Sequence, residues 1–313
     1  MPVIAVVGAT GAQGSGLVRA ILEDPARRFT ARAITRKPDS EKGRALAARG
    51  AEVVAADADD AASLDRAFRG AAGVFCVTNF WEHFSPDREV AQARAMARAA
   101  ARAGVKHVIW STLEDTRTLV PLSDTRMPTL MGRYKVPHFD GKGEADAVFA
   151  EEKAPTTLLR TSFYWDNFIH FGMGPKKDPS GQLVLALPMG DRKLPGIAAE
   201  DIGACAFAVF ARGSEMIGRT VGIAGDHLTG AQMAADFSTA LGQPVRYQPV
   251  PFEVYRKLGF PGADDLGNMF QFNHDFAREF CAQRPVDQTR ALYPGLQTFQ
   301  QWLSRHGKQI PQG

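Results

Sequence analysis

The strongest constraint on this chain lies at its start. Five apolar residues, Val3-Ile4-Ala5-Val6-Val7, run straight into Gly8-Ala9-Thr10-Gly11-Ala12-Gln13-Gly14. An apolar run of that length ending at glycine reads as a buried strand. Beyond the glycines, Leu17, Ala20 and Ile21 recur on one face of a helix predicted over residues 14–23. Strand, glycine loop and helix form the order that a phosphate-binding turn needs. The glycines let the backbone bend tightly and come close to a pyrophosphate. The helix start offers unpaired N–H groups and a partial positive charge. A dinucleotide is the expected ligand, although an ordinary strand-to-helix turn shares the outline.

The pattern then repeats. Strands are predicted at 29–35, 52–55, 73–77, 106–110 and 156–160, with helices at 41–49, 60–69, 87–103 and 140–153 between them. Alternating β and α units of this size give a parallel sheet with right-handed crossovers. The fold class expected is α/β: a Rossmann-type doubly wound parallel sheet with a second, smaller mixed α/β lobe. Residues 1–160 are assigned to the nucleotide-binding domain, with about 197–225 returning to it. Residues 161–313 are assigned to the lobe closing the cofactor cleft. Within that lobe, 171–196 reads as a loop and a hairpin around Leu183–Leu187, and 201–212 as helical. Val221-Gly222-Ile223 reads as a short strand and Thr229 as a helix N-cap. Short helices are expected within 251–280 and at 297–305.

Composition bounds the rest. The 313 residues suffice for one large or two modest domains. Their 45% apolar and 23% charged content is that of an ordinary globular protein. No apolar run spans a bilayer and no signal-peptide pattern opens the chain, so the expected address is cytoplasmic, without membrane contact. A net charge of +3 gives no argument for direct nucleic-acid binding. Cys76, Cys205 and Cys281 are too scattered for a metal cluster or a disulfide framework and are expected as buried reduced thiols; no metal site is expected.

The second strand decides which dinucleotide. NAD-selective sites carry Asp or Glu at its tip to hold the ribose 2′-OH. Here the sequence is Thr35-Arg36-Lys37-Pro38. An arginine holds a 2′-phosphate bidentately where a carboxylate would repel it, so NADP(H) is favoured. After the third strand comes Asp57-Ala58-Asp59-Asp60. These acids either accept a hydrogen bond from the adenine amino group or cap the next helix.

A standard reductase would also show tyrosine and lysine as YxxxK, side by side on one helix face. Tyr134 is followed four residues on by His138, with Pro137 between them, so that set is absent. Ser111 and Thr112 follow the fifth strand where a serine would stand. Lys142 and Tyr134 remain as weak catalytic candidates. Arg94, Arg98 and Arg102 form a basic helical stripe, either a solvated face or a docking surface.

The segments GATGAQG, AITRKP, ADADD, VTNFWE, HFDGKGEAD, RTSFYWDN, LPMGD and KLGFPGADDLGNMF together resemble the NmrA-like family, particularly its animal redox-sensor branch. The similarity runs from Val3 to about His306. It implies an atypical short-chain dehydrogenase fold that binds NADP(H) and often lacks turnover. Its members sense the NADPH/NADP ratio or hold a transcription factor. Matching motifs assign cofactor contacts to Gly8, Ala9, Thr10, Gly11, Ala12 and Gln13, and to Arg36 with neighbours to Ser40. They also assign Asp57 and Ala58, then Thr78, Asn79 and Phe80, then Lys142, and finally Ser162, Phe163, Tyr164 and Trp165. Ala91 stands where the sensor branch has a cofactor-binding lysine. Residues 115–134 read as an insertion and are expected as a plain surface loop, with a lid over the nicotinamide as the other reading.

The expected function is therefore that of an NADP(H)-binding redox sensor or regulator without standard dehydrogenase catalysis. The alternative is an NADPH-dependent reductase of a quinone or other small carbonyl compound. A regulatory protein partner, a small-molecule substrate and a homodimer are the associations this implies.

Overall fold

The computed structural model describes residues 1–311. They divide into two compact units. The first comprises residues 1–115, 138–161 and 200–221; the second comprises 116–137, 162–199 and 222–311.

The first unit is built on the strands read from the sequence. They are β1 (Val3–Val6), β2 (Thr30–Thr35), β3 (Glu52–Ala55), β4 (Gly73–Cys76), β5 (His107–Thr112), β6 (Thr156–Arg160) and β7 (Thr220–Gly222). The first five are followed by helices α1 (Ala12–Leu22), α2 (Glu41–Ala48), α3 (Ala61–Phe68), α4 (Pro86–Arg102) and α5 (Pro137–Glu151). Helix α6 (Ala199–Arg212) precedes β7. Together the strands form one seven-stranded sheet in the order β7-β6-β5-β4-β1-β2-β3. Strands β1 to β6 pair in parallel throughout. Every residue of β4 and β5 is buried, as expected for central strands of a parallel sheet.

The helices start where local chemistry satisfies their first N–H groups. Ser40 caps α2 by accepting from Gly43 N at 3.1 Å. Asp60 caps α3 by accepting from Ala62 and Ser63 N. Ser85 caps α4, with Pro86 in the first turn. Helices α3, α4 and α5 bury Leu64, Phe68, Met96, Ala100, Val148 and Phe149 against Val74, Val108 and Trp110.

The second unit departs further from expectation. The hairpin is present: Lys176–Lys177 pairs antiparallel with Leu183–Leu187. Its other edge carries Val245–Pro249 in parallel, a strand the sequence did not reveal. Lys193–Ile197, inside the stretch expected as loop and hairpin, is a strand between Asp226–Thr229 and Phe163–Tyr164. Pro195 and Gly196 made it look like a loop. Gly196 is there because the Trp165 indole packs on it, and a Cβ would collide with Nε1. Thr229 is an N-cap, in a capping box with Gln232. Helices occupy Phe252–Tyr255, Ala263–Asp275, Ala277–Ala282, Val286–Leu292 and Phe299–His306, the fourth being unforeseen. Trp165, Phe168, Phe237, Phe299 and Trp302 form an aromatic core.

Residues 115–134 are not a plain surface loop. Met127, Tyr134, Lys135 and Val136 are buried. Lys135 Nζ donates to the carbonyls of Asp124 and Met127 at 2.7 and 2.8 Å. Asn268 Nδ2 donates to Pro128 O at 2.9 Å, and Gln271 Nε2 to Arg126 O at 3.0 Å. The segment's carbonyls are thus satisfied partly by Lys135, just beyond it, and partly by side chains of the Ala263–Asp275 helix.

Two smaller expectations also meet the structure. Cys76 and Cys205 are buried, but Cys281 is only half-buried. The Arg94, Arg98 and Arg102 stripe is paired with acids: Arg94 and Arg98 with Glu152, and Arg102 with Asp65. No helix of the described residues is long and apolar enough to cross a membrane.

Candidate functional site

In this strand order the chain turns one way from β1 to β2 and the other way at β4. The carboxyl ends of β1 and β4 therefore flank a crevice, where α/β sheets of this kind bind ligands.

The glycine loop fills the β1 side. Gly8 has φ +65°, in the left-handed region that favours glycine. Its carbonyl accepts from Gly11 N at 2.9 Å. A Cβ at Gly14 would collide with that same carbonyl, so the turn closes only on a bare glycine there. Helix α1 begins inside the loop, at Ala12 rather than at Gly14. Its N-cap, Gly11, offers no side-chain cap, and its first turn holds no acid. Such a start suits an external anion. Gln13 is fixed from across the sheet, its Oε1 accepting from Ser111 Oγ at 2.7 Å.

At the tip of β2, Arg36 Nη2 donates to Glu82 Oε1 at 2.7 Å. Glu82 arrives from a single helical turn, Phe80–Glu82, that follows β4. Burial works to raise the Glu82 pKa, but hydrogen bonds with Arg36 and Asn79 outweigh it and hold the carboxyl below its ordinary value. The acids after β3 divide their tasks. Asp60 caps α3, while Asp57 Oδ1 accepts from Asp59 N at 3.0 Å. Asp59 pairs with Arg88 and accepts from Gln92.

The β4 side is a side-chain cluster. Lys142 Nζ donates to Thr78 Oγ1 at 2.7 Å and to Glu89 Oε1 at 3.0 Å. The Thr78 hydroxyl donates to the same Glu89 oxygen at 2.6 Å. Glu89 is 0% exposed, and its Oε2 has no hydrogen-bond partner. Gly141 sits against Pro86, which lets α5 come close enough to α4 for this contact. Lys142 Nζ also lies 5.2 Å from the Trp110 ring centroid. One turn further along α5, Asp146 Oδ1 accepts from Thr112 Oγ1 and Trp110 Nε1. Burial pushes the Asp146 pKa up to about 6, against the pull of the Thr112 hydrogen bond.

The structure thus gathers Gly8 to Gln13, Arg36, Asp57, Ala58, Thr78, Asn79 and Lys142 at strand tips or helix starts of one unit. Ser40 serves as a helix cap. The Phe80 ring is spent on packing against Trp81, Phe84 and His138. Ser162, Phe163, Tyr164 and Trp165 belong to the second unit, where Trp165 is buried in the aromatic core. Tyr134 also lies there, 2% exposed. Its hydroxyl accepts from Arg133, and it precedes α5 altogether, so no helix face joins it to Lys142 or His138. Among the described residues no group of His, Cys, Asp or Glu could hold a metal.

Sequence reasoning missed Glu82, Glu89 and Asp146. For Glu89 a signal existed. It heads the stripe Glu89, Ala93, Met96, Ala97, Ala100, all buried on one side of α4, and a carboxylate in such a stripe requires a partner.

A parallel sheet with a glycine turn, an uncapped helix start and an arginine at the second strand tip defines a dinucleotide-binding fold. Within that class the chain belongs to the NmrA-like family, whose model matches residues 2–303. The NmrA-like family domain-containing oxidoreductase FrzB of Cladobotryum sp is 30% identical over 309 residues, covering 91% of this chain and 88% of that protein. The NAD(P)H azoreductase of Xenophilus azovorans is 31% identical over 275 residues, covering 85% and 86%. Among solved structures, the negative transcriptional regulator NmrA in complex with NADP has a TM-score of 0.79 at 24% identity, covering 97% of this chain and 94% of that one. It has also been solved with NAD. At that identity the likeness is one of fold.

Proposed function

We propose that the protein is an NADP(H)-dependent reductase of flat, electron-poor acceptors such as azo compounds and quinones. The residues fit the cofactor. Gly8 to Gln13 would cradle the pyrophosphate at the uncapped start of α1. Arg36 would take the 2′-phosphate, Asp57 and Ala58 would flank the adenine, and Thr78, Asn79 and Lys142 would face the nicotinamide half. The bound cofactor supplies a hydride; the chain's own residues hold and orient.

The observation that carries this reading is the state of Lys142. Its ammonium is tied to Thr78 and to the buried Glu89 carboxylate, and no tyrosine shares its helix face. The site therefore offers a fixed cation and no tyrosine–lysine proton relay. An unactivated ketone needs a proton delivered as the hydride arrives. A quinone or azo group accepts a hydride into a delocalised anion, and water supplies the proton afterwards. The site suits the second class of acceptor. The two curated relatives named above, an oxidoreductase and an azoreductase, are in keeping with it.

NADPH oxidation measured with a panel of quinones and azo dyes should show turnover that Lys142→Ala sharply reduces. No turnover with any acceptor would remove this reading and leave the second one. There the protein is an NADP(H) sensor acting on a protein partner, in line with its likeness to NmrA over 97% of the chain. A sensor requires its two conformations to bind the ligand forms unequally. Self-association or partner association that is identical with NADPH, with NADP and with neither would exclude it.

A further inference from the structure

We propose that Glu82 sets the preference between NADP(H) and NAD(H) by competing with the ligand's 2′-phosphate for Arg36. The proposal rests on Arg36 as the 2′-phosphate contact.

In NAD-selective sites the tip of the second strand supplies the carboxylate that holds the ribose 2′-OH. Here that tip supplies Arg36, and the carboxylate comes from another strand. Glu82 reaches across from the turn after β4 and occupies one face of the guanidinium fork. A hydrogen bond with Asn79 steadies it there. Asp57 and Asp59 add negative potential around the same arginine. One guanidinium thus faces an internal anion before any ligand arrives.

Both side chains are largely in water, 57% exposed for Arg36 and 44% for Glu82. An exposed single-contact pair is weak, so a phosphate dianion can displace it. Displacement leaves Glu82 beside the incoming phosphate, and their like charges repel. NAD(H) brings no such charge. With NAD(H), Glu82 keeps Arg36, and its carboxylate can accept from the 2′-OH as a strand-tip acid would. The pair therefore narrows the gap between the two cofactors that Arg36 alone would open. Sequence position hides this, because Glu82 lies 46 residues from Arg36.

The test is the dissociation constants of NADPH and NADH, by intrinsic fluorescence or calorimetry, for wild type, Glu82→Gln, Arg36→Gln and the double variant. Glu82→Gln should bind NADPH about fivefold more tightly and NADH no better, raising the NADPH/NADH preference. Arg36→Gln should collapse the preference, and Glu82→Gln should change nothing further in that background. Thermal unfolding confirms that the variants fold, as expected for exposed positions. If Arg36→Gln lowers the preference but Glu82→Gln leaves it unchanged or lowers it, the proposal fails and the Arg36 assignment stands. If Arg36→Gln also leaves it unchanged, both fail.

Discussion

At the tip of β1 the groups facing the crevice are backbone amides; at the tip of β4 they are three side chains. The glycine loop depends on the absence of atoms: Gly8 bends at φ +65° and Gly14 must carry no Cβ. The Lys142, Thr78 and Glu89 cluster depends on atoms brought from α5, the end of β4 and α4. The loop binds an anion with partial charges, on N–H groups that the helix start leaves without an intrahelical partner. The cluster holds a whole carboxylate out of water, which is tolerable only while Lys142 compensates it. The first arrangement fails by steric collision, the second by charge imbalance.

That contrast can be broken at either end. The largest effect is expected from Lys142→Met. It strands the Glu89 carboxylate in a dry site and should cost about 3–5 kcal/mol of stability in urea unfolding. A variant as stable as wild type would collapse the charge account of the cluster. Gly14→Ala should cost about 1–3 kcal/mol, because the new methyl meets a backbone carbonyl rather than a movable side chain. Its sharper signature is dinucleotide affinity, expected to fall more than tenfold, while the Lys142 cluster stays intact. Unchanged affinity would show that the loop can relax and that its glycine is not required.

The smallest effect sharpens the comparison through pH. Asp146, behind the cluster, has its folded pKa raised by burial to about 6 from the ordinary aspartate value of 3.8. The folded state therefore takes up this proton before the unfolded state does. Its contribution to stability is present below about pH 4 and is lost as pH rises through 6. Asp146→Asn keeps an acceptor for Thr112 and Trp110 and removes the titration. Urea midpoints between pH 7 and pH 4.5 should show a less favourable acid slope in the variant than in wild type. Parallel slopes would assign the pH dependence elsewhere.

The element order of the first unit was legible because strands such as β1 and β4 are apolar runs and helices such as α1 and α3 carry apolar residues at helical spacing, both local patterns. The second unit was less legible. Lys193–Ile197 contains Pro195 and Gly196, and only the indole of Trp165 lying on Gly196 explains a glycine within that strand. Residues 115–134 looked like a loop because carbonyls at Arg126 and Pro128 find partners on Gln271 and Asn268, more than 130 positions away.

The same division runs through the site. The glycine turn, the helix start behind it and the arginine at the second strand tip are all written in the local order of residues. Those features depend on residues next to one another in the chain, and on what a backbone does with or without a Cβ. Only the tertiary structure decided that Glu82 sits on Arg36 and that Lys142 rests on Glu89. Charge pairing acts through space at about 3 Å and is indifferent to separation along the chain. The parallel sheet sets strand tips side by side, and so decides which distant charges meet.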